Sequence, residues 1–193
     1  MSFASESAAA RACTLCAPHL RDGVRPVFRG KPSARLMLIG QAPGRRVHES
    51  GVPWDDPSGD RLREWLGLDR TAFYNERKFA ILPMGLCYPG TDKRGADFPP
   101  RPECAPLWHP RLLPLFPKIE TTLLIGQYAQ ARYLGPARAA TLTDTVRAWR
   151  KHVPEFLALP HPSWRNTGWL KANPWFAREV LPWLRERVAA LTA

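Results

Sequence analysis

The sequence lacks any apolar run of the roughly 18 to 20 residues that a membrane-spanning helix needs. Its alanine-rich start, at residues 7–12, lacks the basic segment and the long apolar stretch of a secretory leader. Internal repeats and low-complexity linkers are also missing. At 193 residues and 45% hydrophobic composition, the chain is long enough for one well-buried core but short for two. We therefore expect residues 1–193 to form a single domain, monomeric and cytoplasmic, with no membrane partner.

Acidic residues are scarce relative to basic ones. Lys and Arg together number 28 against 17 for Asp and Glu, which gives a formal net charge of +11. A polyanionic partner explains this excess, because neutralising phosphates releases counterions and supplies affinity that does not depend on sequence. Arg dominates the excess, and its planar guanidinium suits phosphate, which favours nucleic acid without separating DNA from RNA. A basic, solvated surface with no partner is the alternative.

Four short apolar segments each end at Gly or Pro and predict buried strands, at residues 35–40, 79–83, 121–126 and 156–160. The segments between and after them predict helices, at residues 60–67, 106–115, 127–134, 143–151 and 174–191. Strands that alternate with helices favour an α/β fold with three α/β/α layers and a central, mainly parallel four-stranded sheet. Functional loops then belong at the carboxyl edge of the sheet.

The loop after the first strand reads Gly40-Gln-Ala-Pro-Gly44. Glycine at both ends permits close approach of the backbone to a ligand, and proline stiffens the turn. Downstream, Trp54 offers a flat apolar face for stacking. Asp55 and Asp56 follow it and could position a water molecule, although an Asp before Pro-Ser-Gly is equally typical of a helix cap. A Gly-Pro turn after a strand is common, so a purely structural turn is the alternative.

The loop after the last strand places His161 between two prolines. A hydroxyl, an indole, a guanidinium and an amide follow within five residues, which concentrates hydrogen bonding, stacking and phosphate contact; they belong to Ser163, Trp164, Arg165 and Asn166. A single histidine is more often structural than catalytic, so the case for His161 depends on these neighbours. The other histidines form no metal-ligand spacing and are expected at the surface or in packing, at His19, His48, His109 and His152.

Taken as a pair, Gly40-Gln-Ala-Pro-Gly44 and His161-Pro-Ser163 resemble the two motifs of the uracil-DNA glycosylase superfamily. Their order and the α/β pattern between them cover most of the chain. The resemblance implies an enzyme that hydrolyses the N-glycosidic bond of uracil or a related deaminated base in DNA and leaves an abasic site. The partner implied is DNA that contains a damaged base, extruded from the stack for catalysis.

The resemblance also implies roles for individual residues. His161 would donate a hydrogen bond to the departing base, and Trp54 would stack under it. The expected catalytic residues are His161 and Gln41. The expected base-binding residues are Gly40, Ala42, Trp54, Asp55 and Pro83. The expected DNA-binding residues are Ser163, Trp164, Arg165 and Asn166.

Two positions of this chain depart from the pattern of family 4, the [4Fe–4S]-binding group within the superfamily. The family 4 proteins carry Glu where this chain has Gln41, and an amide cannot act as a general base. They use Asn to read the edge of uracil where this chain has Pro83, which has no side-chain donor. These departures leave a second hypothesis open, a non-catalytic binder of damaged or abasic DNA with the same fold.

Cysteine is scarce as well. The first two of the four cysteines are separated by two residues and the last two by sixteen; they are Cys13, Cys16, Cys87 and Cys104. In a cytosolic protein this pattern suggests a metal site rather than disulfides. It is similar to that of the [4Fe–4S]-binding superfamily members, often called family 4, so the resemblance implies such a cluster. Zn²⁺ suits four thiolates too, which leaves a zinc-stabilised RNA-binding module as a third hypothesis of function. Four reduced cysteines without metal are the remaining alternative.

Overall fold

The computed structural model describes residues 2–193 and has a parallel four-stranded sheet at its centre. The strands are β1 (Leu36–Ile39), β2 (Phe79–Ile81), β3 (Thr121–Ile125) and β4 (Phe156–Leu159). Their order in the sheet is β2-β1-β3-β4, and every neighbouring pair is parallel. The predicted α/β/α fold is thus confirmed, and the sheet is wholly parallel.

Helices cover both faces of this sheet. They are α1 (Phe3–Arg11), α2 (Arg45–Ser50), α3 (Pro57–Leu66), α4 (Arg70–Phe73), α5 (Cys104–Leu112), α6 (Gln127–Leu134), α7 (Leu142–Arg147), α8 (Thr167–Ala172) and α9 (Leu181–Thr192). Helix α3 packs against α9, and α1 packs against α5. Of the helices in residues 2–193, none has the length and apolar character required to cross a membrane.

The sequence predicted α6 with its observed bounds, but other helices differ in their details. The predicted closing helix begins as a π-helical turn, Phe176–Val180, before α9. The predicted helix at 143–151 is divided into α7 and the 3₁₀ turn Trp149–Lys151. The sequence analysis did not anticipate α1, α2, α4 and α8. Three of these have only four to six residues, too few for apolar periodicity to mark them.

The sheet is the centre of the hydrophobic core, because β1 is apolar at every position and buried throughout. The second strand in sequence lies on one side of β1 and the third lies on the other. This reversal between β1 and β3 is a topological switch point, where loops leaving the carboxyl ends of the strands separate and form a crevice. The fold therefore predicts the place of the site before any side chain is considered.

Helix α3 begins beside the loop that follows β1. Asp56 is its N-cap, and the carboxylate accepts a hydrogen bond from the Gly59 N–H at 2.7 Å. Gly67 ends the helix in the left-handed conformation, at the end of the helix predicted over residues 60–67. The interpretation of Asp56 as a helix N-cap is confirmed.

Candidate active site

A cavity of about 220 Å³ opens at the carboxyl edge of the sheet. Loops that leave all four strands approach it; a Cβ added to Gly126, directly after β3, would lie 3.9 Å from the His161 Cβ after β4. Most of the predicted site residues line this cavity, namely Gly40, Gln41, Ala42, Trp54, Pro83, His161, Ser163, Trp164 and Arg165. The fold thus brings together two motifs that are more than 100 residues apart in sequence.

The Trp54 ring lies directly on Gly40 in the first motif. A Cβ added at Gly40 would meet the Trp54 Cζ2 at 2.9 Å, so only glycine leaves room for the ring. Trp54 itself has φ of 60°, a left-handed conformation that is strained for a bulky residue. Gly59 is equally constrained, because its Cβ would lie 1.8 Å from the Trp54 carbonyl oxygen. The surroundings hold an aromatic face in a conformation that the local sequence does not favour.

Two side chains hold this aromatic platform from behind. The Arg63 guanidinium donates to the Trp54 carbonyl oxygen at 3.1 Å and is itself paired with Asp60 at 2.5 Å. The Tyr74 hydroxyl donates to the Pro53 carbonyl oxygen at 2.9 Å. Arg63 is buried, so its pairing with Asp60 and with a backbone carbonyl satisfies a charge that would otherwise destabilise the fold. The ring is therefore fixed before any ligand binds.

The His161 ring lies against the Trp54 ring, with centroids 5.6 Å apart and planes inclined by 32°. Burial lowers the pKa of His161, an effect that the nearby Asp56 carboxylate opposes. A neutral imidazole at neutral pH follows. Within residues 2–193 no hydrogen bond engages the ring; the contact of this residue with Asn166 is made by its backbone carbonyl oxygen, at 2.7 Å. The imidazole N–H is thus free to serve a ligand in the cavity.

The first motif is anchored from the opposite side by the chain that leaves β2. The carbonyl oxygens of Gly40 and Gln41 accept from the backbone N–H groups of Met84 and Gly85, each at 2.9 Å. The Gln41 side-chain amide donates to the Phe98 carbonyl oxygen at 3.2 Å. Gln41 therefore links the motif loop to the segment around residue 98, and its amide nitrogen is already engaged.

Two carboxylates line the cavity near Gly44, from Asp56 and Asp97. A Cβ added at Gly44 would lie 3.7 Å from the Asp97 Oδ2 and 4.0 Å from the Asp56 Oδ2, so both carboxylates lie close to this glycine. Partial burial raises the pKa of Asp97, and the Asp56 charge raises it further, against the opposing Arg165 and Arg45. The sequence analysis missed Asp97, because it belongs to neither motif and its loop contains charges of both signs.

Pro83 lines the cavity, and a buried network holds its backbone. The His109 Nε2 donates to the Pro83 carbonyl oxygen at 3.0 Å, while the His109 Nδ1 accepts from the Tyr133 hydroxyl. Burial lowers the pKa of His109 to about 4, so the ring is neutral. This assignment of donor and acceptor leaves both ring nitrogens satisfied. The expectation that His109 serves packing is confirmed.

The second motif reaches the mouth of the cavity. Arg165 donates to the Gly95 carbonyl oxygen at 2.9 Å, which joins this loop to the loop that contains Asp97. Trp164 is 73% exposed, a large apolar side chain facing solvent beside the opening. Arg61 of α3 donates to the Ser163 carbonyl oxygen at 2.9 Å and fixes the loop from below. An exposed indole beside a guanidinium is the kind of surface that contacts nucleic acid.

Two predicted site residues do not line the cavity. Asp55 turns away from it and pairs with Arg70 at 2.7 Å, an interaction that lowers the pKa of Asp55. Asn166 begins α8 and supports the His161 loop through its hydrogen bond to the His161 carbonyl oxygen. The sequence predicted both residues from their polar side chains within the motif loops, and the backbone path directs these side chains elsewhere.

All four cysteines line a second, smaller cavity of about 20 Å³. Their sulfurs come from the segment after α1, from the loop after β2 and from the first residue of α5. The backbone N–H of Leu86 donates to the Cys104 Sγ at 3.3 Å, and burial raises the pKa of the Cys87 and Cys104 thiols to about 11 and about 12. Among the residues that the structure describes, no group of three or more His, Cys, Asp or Glu is arranged to hold a metal ion. The four cysteines therefore border one cavity without forming a metal site by their positions in this structure, although thiolates as a ligand type are those that iron–sulfur clusters and zinc use.

The three-layer fold, with its cavity at a topological switch point, defines the class of this protein: an α/β domain with a candidate site at the carboxyl edge of its parallel sheet. The family description "Uracil DNA glycosylase superfamily" matches residues 27–185, which include both motif loops. The chain therefore belongs to the uracil-DNA glycosylase superfamily, whose members act on DNA in repair. The match begins after Cys13 and Cys16.

Proposed function

We propose that this protein is a monofunctional DNA glycosylase that removes uracil or a related deaminated base and leaves an abasic site. The observation that carries the proposal is the convergence of the Trp54 face and the hydrogen-bond-free His161 ring in one cavity. The Trp54 and His161 rings have centroids 5.6 Å apart. One ring can stack on a flat base while the other donates a hydrogen bond to a base oxygen that becomes negative as the glycosidic bond breaks. The net charge of +11 suits a DNA partner.

The base must first leave the stack, which costs a few kcal/mol of unstacking and unpairing. Trp54 offsets part of this cost, because stacking on an aromatic side chain contributes about 1–3 kcal/mol per base. Trp164 and Arg165, at the mouth of the cavity, would occupy the gap in the duplex. Since Arg63 and Tyr74 hold the platform in place, no reorganisation of the ring is needed when the base arrives.

The bond to be broken joins the sugar C1′ to the base nitrogen, and its electron pair leaves with the base. His161 would donate its imidazole N–H to the base oxygen on which negative charge develops. A neutral ring suits this role, because it donates without protonating the base outright. Gln41 and Ala42 line the same cavity, and their backbone N–H groups would be further donors for the base.

Water supplies the oxygen that replaces the base at C1′, and its proton must pass to an acceptor. Gln41 cannot accept it, and its amide nitrogen already donates to the Phe98 carbonyl oxygen. Asp56 uses one carboxylate oxygen to cap α3 and presents the other toward Gly44 in the cavity. We assign the positioning of water to Asp56, so a glutamate at position 41 is not required.

The rival function is a non-catalytic binder of damaged or abasic DNA. Pro83 favours it, because this residue offers no side-chain donor and its carbonyl oxygen already accepts a hydrogen bond from His109. A cavity that cannot read the edge of uracil would retain DNA without turnover, or would accept a different deaminated base.

The deciding experiment incubates the protein with single- and double-stranded oligonucleotides that contain uracil, hypoxanthine or xanthine, followed by alkaline cleavage at abasic sites. Cleavage at any of these bases, absent from a His161→Ala variant, supports the glycosylase and identifies its base. Binding without cleavage across the whole panel would establish the non-catalytic binder.

We also propose that Cys13, Cys16, Cys87 and Cys104 hold a [4Fe–4S] cluster, with zinc as the alternative. The group would serve a structural role, tying the segment after α1 to the chain that leaves β2. That chain donates from Gly85 to the Gln41 carbonyl oxygen, so the cysteine cavity supports the first motif. Iron and acid-labile sulfide analysis with a visible absorption spectrum tests this. If the protein is colourless and contains one zinc ion, zinc takes the place of the cluster in this proposal. If the protein contains no metal, both the cluster and the zinc site are overturned.

A further inference from the structure

We propose that Asp97 is a second catalytic carboxylate, which stabilises the positive charge that develops on the sugar during excision. The inference rests on the proposed glycosylase function and adds a residue to it. Asp97 lies on the loop between β2 and α5, outside both sequence motifs, and reaches the cavity only through the tertiary fold.

The position of Asp97 at the mouth of the cavity is the first argument. When a base enters the cavity, its sugar stays at the opening, because the sugar remains joined to the DNA backbone. All three residues line the cavity; Asp97 as a whole residue is exposed, although its carboxyl group is partly covered, whereas His161 and Trp54 are less exposed and so lie further in. The negative charge of Asp97 is therefore on the side where the sugar cation forms, and the His161 donor is on the side where the base anion forms.

The absence of a competing role is the second argument. Asp56 caps α3, Asp55 pairs with Arg70, and Asp60 pairs with Arg63. Within residues 2–193, the Asp97 carboxylate accepts no hydrogen bond and forms no ion pair within 4.0 Å. The loop is held without it, by the bonds from Arg165 to Gly95 and from Gln41 to Phe98.

The space beside Gly44 is the third argument. The carboxylates of Asp97 and Asp56 both lie beside this glycine, since a Cβ added there would be 3.7 Å from Asp97 Oδ2 and 4.0 Å from Asp56 Oδ2. A water molecule held in the cavity between the two carboxylates would lose its proton to one of them as its oxygen bonds to C1′, while the electron pair of the broken bond leaves with the base. Two carboxylates on one side of the sugar also favour its cationic state over the neutral substrate.

The test compares two abasic-site analogues in otherwise identical DNA duplexes, a cationic pyrrolidine and a neutral tetrahydrofuran. If the inference holds, the protein prefers the cationic analogue and Asp97→Asn lowers this preference roughly tenfold, as expected for loss of a hydrogen bond to a charged group. Affinity for the neutral analogue should stay the same. Glu49→Gln is the matched control, because it removes one negative charge from an exposed position on α2 that does not line the cavity. Asp97→Glu should restore part of the preference.

An unchanged preference in Asp97→Asn would overturn the inference, as would a wild-type protein that binds both analogues equally. Loss of the preference in Asp56→Asn alone would assign the cation to Asp56 and also overturn it. The binding ratio does not depend on turnover. A wild-type protein that excises no base would therefore overturn the proposed function and the catalytic role of Asp97 together, whereas excision with an unchanged preference in Asp97→Asn would overturn this inference alone.

Discussion

His161 and His109 lie near the same cavity and have opposite surroundings. His109 is fully buried, and both of its ring nitrogens are hydrogen-bonded, to the Tyr133 hydroxyl and the Pro83 carbonyl oxygen. His161 faces the cavity, and among residues 2–193 its ring has one close aromatic neighbour, Trp54. Burial lowers the pKa of both. This difference shows that a neutral histidine has a structural role when both of its ring nitrogens form hydrogen bonds within the protein. It is available for chemistry when neither ring nitrogen does.

Replacing His161 should have the largest effect on activity. We expect His161→Ala to lower the excision rate by about 10²- to 10³-fold, because the departing base loses a preorganised donor. The melting temperature should barely change, since the ring makes no hydrogen bond that the fold needs. Single-turnover kinetics and thermal unfolding measure the two effects, with His152→Ala as a control outside the cavity. Unchanged turnover would contradict the assignment.

The pH dependence of stability should report His109. A histidine titrates near pH 6.5 in the unfolded chain, and His109 titrates at about 4 in the folded protein. Between these values the unfolded chain binds a proton that the native state does not, so stability is full above about pH 6.5 and falls by about 3 kcal/mol as the pH drops toward 4.

Denaturant unfolding at several pH values measures this slope, and His109→Gln should flatten it. The slope that remains would belong to His161 and the carboxylates. If wild-type and His109→Gln lose stability in parallel over this range, the buried neutral histidine is not its source.

Removing the Tyr133 hydroxyl should have a smaller effect. Tyr133→Phe leaves the buried His109 Nδ1 without a donor, and we expect a loss of about 2 kcal/mol in the free energy of unfolding. Tyr128→Phe on the same helix is the matched control, because no hydrogen bond of its hydroxyl is seen within residues 2–193. Equal losses in the two variants would show that the His109 network does not depend on this donor.

The substitution with the smallest expected effect tests the Trp54 ring, against which His161 packs. In Gly40→Ala the added Cβ meets the Trp54 ring at 2.9 Å, so the ring must move. We expect about a tenfold loss of excision, since a shift of the stacking face misplaces the base. Gly168→Ala is the control, because nothing lies within 4 Å of a Cβ there. Full activity in Gly40→Ala would show that the ring position is not critical.

Much of the fold could be predicted because its signals are local. Apolar segments that end at Gly or Pro marked β1 to β4, and the strand–helix alternation led to the parallel sheet. The two motif loops could be assigned to one edge because parallel strands share their carboxyl ends. The four cysteines could be grouped by residue type, and the structure places all of them at one cavity.

The site itself could be predicted only in part. Asp55 and Asn166 belong to the motif loops by sequence, yet the turn of the backbone and pairing with Arg70 keep Asp55 out of the cavity. Asp97 belongs to no motif and enters the cavity because its loop is tied across the mouth by Gln41 and Arg165. Side-chain direction in a loop depends on such distant contacts, and periodicity does not encode them.

The sequence by itself determined the α/β fold, the two motif loops and the cationic character of the chain, because these depend on local pattern and composition. Only the tertiary structure decided which histidine is free and which is used by the fold. That distinction depends on partners more than 20 residues away, such as Tyr133 and Pro83 for His109. Hydrogen bonding and burial, which determine whether a polar group is structural or available, are properties of the packed chain.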